Sequence, residues 1–578
     1  MSRALLFRQL LLLAGGLLFV LVALVGWQSY QVASSLTRVA QDADAAQGAV
    51  ESGEGIAAVT VALQSSAAEA ADEVNDWRWS LVTRLPWVGD DADGVRVVAN
   101  IASDLSAELE PAATASADLT RLLPDEGRID VAAVRDLQAP FGAAAEAFAA
   151  ADDDLDDVDP SGFVGALRGR FDDLRSQVGD AADGLDAASV AVELLPGMLG
   201  ADGPRNYLLV FQNNAEIRAT GGLPGSLSVI STDDGAIDLV RQVSAGSLGE
   251  RDRPVLPLSE DERAIFTEYL GVFAADANFT PDWPRASDLL RARFEEIFPE
   301  RLDGTLTLDT VAVSYLLGAT GPMTIDGYTL TSENAVDVLL NQVYLDVADG
   351  EEQNALFQKV ASTMFERISG GDIGRPRELL KALVRATHEG RTAVHLYNAG
   401  QQELIDGRAV TGQEVNADGR SEAITVAMND GTAAKMSYYL DYNVRGRATT
   451  CVNGREHMTV QATLHSDAPR DAATTLSEYV VGFGGNGLPP GSQIVETRLF
   501  TPSDGVVTNL RINGKEFDVK DRQLVDRFVS TVYVYLEPGQ TVDVEWILSA
   551  PASTDAVSLN VTPGIAPGNE SSQIASAC

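Results

Sequence analysis

Near residue 200 the apolar residues change their period, and that change divides the chain. Before it they recur at helical spacing, as in FVGALRGRFDDLRSQV (Phe163–Val178). Beyond it they run continuously in YLLVF (Tyr207–Phe211) and alternate in SLSVIST (Ser226–Thr232) and AIDLVRQV (Ala236–Val243). A period of 3.6 buries one stripe of a helix, whereas a period of two buries one face of a sheet. A helical part over 31–202 followed by sheet-containing parts is therefore expected. The 578 residues exceed one ordinary domain, and 45% apolar content suffices for packed cores.

Three breaks interrupt the helical part: LPWVGDD (Leu85–Asp91), LLPDEG (Leu122–Gly127) and DPSG (Asp159–Gly162). Each carries Pro or Gly among polar residues, as turns between helices do. With no sustained heptads, the expectation is an antiparallel bundle, a stalk. GDDADG (Gly89–Gly94) lacks the remaining ligands of a calcium loop and reads as a solvated turn. Trp77, Trp79 and Trp87 crowd the first break, where burial between helices or a membrane interface would accommodate them.

From about 203 to 408 strands and helices interleave, so the fold class is α/β. DDG (Asp233–Gly235) joins two alternating runs into a hairpin, and Ser259 with Glu262 forms a capping box ahead of a helix. From 409 to 578 the pattern is mainly β, a β-sandwich-like domain. AKMSYYLDYNVRGR (Ala434–Arg447), EHMTVQATLHS (Glu456–Ser466) and VDVEWILSA (Val542–Ala550) read there as strands.

The N-terminus predicts location. Leu10–Trp27 contains no charge, and Arg3 and Arg8 precede it. About 20 apolar residues span a bilayer, and basic flanks stay inside. Residues 1–30 are thus expected to be a cytoplasmic tip and a single-pass transmembrane anchor rather than a cleaved signal, leaving the bulk of the chain extracytoplasmic. The net charge of −42 excludes nucleic acid as a partner, because such a surface repels phosphates. Cys451 and Cys578 are the two cysteines; outside the cytosol they either pair, pinning the C-terminus to its domain, or stand as lone thiols.

Between the first two strands lies QNNAEIRATGG (Gln212–Gly222). Arg218 carries a permanent charge and a planar fork of donors suited to phosphate or carboxylate. Asn213 and Asn214 add neutral donors, and Gly221 and Gly222 let backbone N–H groups approach an oxyanion. Glu216 can hold a divalent cation such as Mg²⁺, accept a proton, or pair with Arg218. A polar turn tied by its own Glu–Arg pair is the alternative. No nucleophile elbow, Walker loop, dinucleotide turn or zinc motif occurs, and the four histidines lack evident partners.

The run NNAEIRATGGLPGSLSVISTDDGAI (Asn213–Ile237) resembles the defining motif of a bacterial surface family, domain of unknown function 4012. Leu302–Tyr344 and MNDGTAAKMSYYLDYNV (Met428–Val444) resemble it as well. That resemblance implies an actinobacterial-type envelope protein without an assigned chemistry. YLLVFQNNAEIRATGGLPGSLSVIST is further similar in layout to LytR-CpsA-Psr proteins, membrane-anchored enzymes that transfer glycopolymers from polyprenyl-diphosphate lipids to the wall. Leu223, Pro224 and Gly225 stand where that family has Arg-Ser-Asp, so only Arg218, Glu216, Asn213 and Asn214 carry over. The resemblance implies a LytR-CpsA-Psr-like core that binds or transfers a polyprenyl-(di)phosphate-linked glycopolymer, with Arg218 and Glu216 catalytic. The alternative it leaves is a non-catalytic scaffold, binding cell-wall polymer or envelope proteins on the same fold.

Overall fold

The computed structural model describes residues 31–578, apart from 47, 50–54, 86–87, 116–126, 372, 374, 416–418, 483–486, 555 and 567–570. The expected anchor, Leu10–Trp27, lies outside the described residues, as does Trp87. Among the described residues no helix is long and apolar enough to cross a membrane. The protein is mixed α/β and forms two compact units, one of helical residues up to 197 without 123–129, the other of 123–129 and 198–578.

The helical unit contains α1 (31–46), α2 (Ile56–Asn75), α3 (Gly89–Ala115), α4 (Val131–Asp156) and α5 (Gly165–Met198). Ser35 Oγ donates to Glu73 at 2.7 Å and Arg38 pairs with Glu69 at 3.0 Å, so α1 and α2 run antiparallel. Two apolar clusters hold the unit. Val32, Val74, Trp79, Val82 and Ala92 form one; Ile101, Leu105, Phe148, Leu155, Phe163 and Phe171 belong to the other. Trp79 is buried and donates to the Ala92 carbonyl, while Trp77 is exposed, so burial claims one of the clustered tryptophans and not its neighbour. GDDADG is the first turn of α3 rather than a free turn: acidic residues there favour the positive end of the helix.

In the second unit a five-stranded sheet places β1 (Arg205–Asn213) at its centre. β1 pairs antiparallel with β2 (Leu223–Asp233) and parallel with β4 (Gly304–Asp309); β3 (Ala236–Ser244) continues beyond β2, and Val394–Leu396 closes the far edge. The β2–β3 hairpin turns on Asp234 and Gly235, both at positive φ, as a two-residue turn of this hand requires. One face of the sheet, through Leu208, Val210, Leu227 and Val229, packs on α6 (Trp283–Ile297). The other, through Phe211 and Leu308, meets α7 (Thr310–Thr320) and α8 (Gly350–Ser369). Both faces are covered, which is why YLLVF reads as a continuous apolar run.

The C-terminal part has two sheets, one of five strands and one of six, that share a core of Val460, Leu464, Trp546, Leu499, Val534 and their neighbours. Ile217 belongs to that core, and Ala427, Phe500 and Val529 belong to the core around α6, so the two parts interlock. Cys451 and Cys578 form a disulfide, Cα to Cα 5.0 Å. One sequence expectation is corrected. Alternation predicts a strand from Ala434, but Met436–Tyr439 is a 3₁₀ turn and the strand begins at Leu440. The segment is tied elsewhere: Ser437 N–H donates to Ala215 O, and Ser437 Oγ accepts from Ile217 N–H.

Candidate functional site

A register shift between Phe211 and Gln212 ends the regular pairing of β1, and the polar loop begins there. Its backbone folds on itself, with Gly221 N–H donating to Arg218 O and Leu223 N–H to Glu216 O. Gly222 is required by that closure, since a Cβ there would collide with the Asn213 carbonyl; Gly221 sits at a φ of 125°. The two glycines therefore serve the loop's own close packing. Asn214 is likewise used internally: its amide donates to Asp309 at 2.9 Å and accepts from Thr310 N–H, fixing β1 against the start of α7. Asp309 also caps α7 through Ala312 N–H and pairs with buried Arg391.

Glu216, Arg218 and Asn213 come together on the wall of a cavity. Glu216 is a hub whose two oxygens are both taken, one by Arg218 at 2.9 Å and the other by Lys435 at 2.6 Å. Arg218 also reaches Asp276 at 3.4 Å and lies over the Phe279 ring, and its buried Nε has no acceptor among the described residues. The Lys435 ammonium lies to one side of the neighbouring Tyr344 and Tyr479 rings, 5.9 and 5.8 Å from their centroids. Asn213 donates to the Tyr344 hydroxyl. Burial opposes charge on Glu216, but the Lys435 and Arg218 cations outweigh it and hold the carboxyl well below its usual range. Burial pulls Lys435 down, but Glu216 together with Tyr344 and Tyr479 outweighs it and raises the ammonium above its usual range, so it stays charged.

Two further carboxyls flank the hub and go the other way. Burial pushes Asp276 up to about 6, against the pull of Arg218. Asp430 is raised by burial and by the nearby Glu216 charge. The folded state therefore holds protons at a pH where an unfolded Asp, near 3.8, has lost them. Stability from these groups grows as pH falls from above 6 toward 4 and is lost as pH rises through 6. The wild-type urea midpoint is expected to be higher at pH 5 than at pH 7.5. Relief of the overall negative charge acts in the same direction, so the readout is the difference from Asp276→Asn, whose gain on acidification is expected to be smaller.

The cavity has a volume of about 460 Å³, within the range of small-molecule sites. Its apolar lining includes Val313, Leu339, Leu340, Phe357, Val360 and Met364. Leu339 and Leu340 lie in a π-helical turn, Val338–Gln342, a local widening often found at functional positions. The cavity thus combines two cations, each paired with carboxylate, with aliphatic and aromatic surface. Leu223, Pro224 and Gly225, where acidic and basic residues were expected by resemblance, line it too.

The three stretches that carry the sequence resemblance meet at this site. Asn213, Glu216 and Arg218 come from the first, Tyr344 ends the second, and Asp430 and Lys435 come from the third. Residues 202–344 match the family model described as a protein of unknown function, DUF4012. That segment belongs to the DUF4012 family. It contributes the strand, the polar loop and Tyr344, whereas Lys435 and Asp430 lie beyond the matched DUF4012 residues. No curated protein matches the chain. Among solved structures, the crystal structure of the transcriptional regulator yvhJ from Bacillus subtilis is similar at 14% identity. It covers 35% of this chain and 75% of that one, with a TM-score of 0.21.

Of the residues gathered at this site, Lys435, Asp276, Asp430 and Tyr344 escape reading from local spacing. Lys435, Asp430 and Tyr344 were signalled by lying inside the family-like stretches. Asp276, in a short 3₁₀ turn of Ala274–Phe279, carried no signal.

Proposed function

We propose that the protein binds an anionic amphiphile of the polyprenyl-phosphate class in this cavity, from an anchored position outside the cytoplasmic membrane. The observation that carries the reading is the cavity's mixed lining, in which Arg218 and Lys435 share one space with Val313, Leu339, Val360 and Met364. A phosphate accepts from exactly such donors, and a lipid chain matches the apolar side. An ammonium has three protons, and Lys435 gives one to Glu216, so it can donate to a phosphate without dismantling that pair. The uncharged run Leu10–Trp27 and the resemblance to LytR-CpsA-Psr proteins support the lipid-linked character of the ligand. The Cys451–Cys578 disulfide fits an oxidising compartment.

In this reading Glu216 positions two cations and does not act as a base, because both its oxygens are engaged and its proton affinity is low. One observation favours the alternative of a non-catalytic scaffold: the same pairs neutralise the cations without any ligand. One experiment separates the two readings. Binding of a polyprenyl phosphate to the full-length protein in detergent is measured against the uncharged polyprenol. For a ligand site, Glu216→Gln releases Arg218 and Lys435 and tightens phosphate binding roughly tenfold, the worth of about one charge-assisted hydrogen bond. Ala361→Phe, which puts a ring into the cavity that Ala361 lines, weakens it. No saturable binding, or equal binding of phosphate and alcohol in every variant, refutes the ligand reading and leaves the scaffold.

A further inference from the structure

Four exposed apolar side chains gather at one end of the helical unit: Trp77 at 63% exposure, Leu81 at 37%, Val88 at 43% and Val164 at 55%. Their common location follows from the helix order. Because α1 runs antiparallel to α2, its first turn lies level with the last turn of α2. Val32 accordingly packs with Val74, Trp79 and Val82. Trp77, Leu81 and Val88 occupy the connection from α2 to α3 at that level. Val164 joins them from the connection between α4 and α5: its N–H donates to Asp91 in the first turn of α3 at 2.9 Å. Phe163 beside it fills the space that Gly94 leaves.

The chain enters this same end. The described part of α1 opens at residue 31, four residues after Trp27 closes the uncharged run. Four residues reach at most about 14 Å, and the headgroup layer of a bilayer is itself roughly 5–8 Å deep. We infer that this end of the helical unit rests in the headgroup layer of the membrane, with Trp77, Leu81, Val88 and Val164 as its contact surface. The inference rests on reading Leu10–Trp27 as bilayer-spanning. Tryptophan at the headgroup level satisfies an apolar ring and a polar N–H at once. Asp76, Asp90 and Asp91 neighbour Arg78 and Arg84 here, so attraction to anionic lipid does not drive the contact; apolar burial does.

The test uses the full-length protein reconstituted in vesicles of zwitterionic phospholipid. An environment-sensitive fluorophore is placed on Arg84→Cys, exposed in the same α2–α3 connection as Trp77, or on Glu108→Cys, exposed nineteen residues along α3 from Gly89. Nitroxide-bearing lipid is expected to quench the label at 84 several-fold more than the label at 108, and Trp77→Ser to reduce that difference. Retention in membranes after an alkaline wash reports the anchor separately. Retained protein whose two labels are equally open to aqueous iodide overturns the surface contact and leaves the anchor standing. Protein stripped by alkali with position 84 still shielded keeps the contact and refutes the anchor. Stripped protein with both labels open overturns both.

Discussion

Lys435→Met is expected to lower the unfolding free energy by about 3–5 kcal/mol, the cost of leaving a buried charge without its partner. The argument is electrostatic. With Lys435 gone, the Arg218 guanidinium faces three buried carboxyls, those of Glu216, Asp276 and Asp430. At least one of them must take a proton or draw in water. Glu216→Gln is expected to cost less, because Arg218 and Lys435 then remain opposite Asp276 and Asp430, two charges of each sign. Combining Glu216→Gln with Lys435→Met is expected to recover part of the loss, since a pair is removed instead of a single member. Urea unfolding at pH 7.5 of the two single variants and the double variant measures this. Equal costs for both singles, with simple addition in the double, would show that the cluster is not electrically coupled.

The Cys451–Cys578 bond gives the second large effect. It joins positions 127 apart, a closure that chain-entropy arguments value at about 5 kcal/mol and that measured bonds deliver at about 2–4 kcal/mol. Cys578→Ser is therefore expected to lower the unfolding free energy by an amount in that range. The folded state gives the bond something to hold: Ser572–Ile574 is the edge strand of the six-stranded sheet, pairing Val557–Leu559, and Ala577 N–H donates to Glu456. Ile574 is buried in the shared core, in the space that Gly446 leaves. Midpoints of wild type with and without a reducing agent, beside the variant under both conditions, test the claim. An insensitive wild type would mean that the terminal segment holds without the bond.

The α/β and β-rich organisation was legible in the sequence because periods of 3.6 and two are properties of local burial. YLLVF, the DDG hairpin and the Ser259–Glu262 capping box each state their structure within a few residues. Arg218, Glu216 and Asn213 were legible for a similar reason: a polar loop between two strands exposes its chemistry in one short window. What that window could not tell was which of its residues look outward. Asn214, Gly221 and Gly222 are consumed by the loop's own closure, and only close approach of β1, α7 and Asn213 makes that so. Lys435 was hidden by an alternation that promised a strand. The 3₁₀ turn that carries it to Glu216 forms because Ala215 and Ile217, more than 200 residues earlier, bond Ser437. The sequence determined by itself the order of helices and strands and one half of an ion cluster, since both follow from neighbours along the chain. The other half, the upward shift of Asp276 and Asp430, and the apolar lining of the cavity were decided by tertiary structure. Charges shift one another only when burial strips their water and distant segments bring them within a few ångströms.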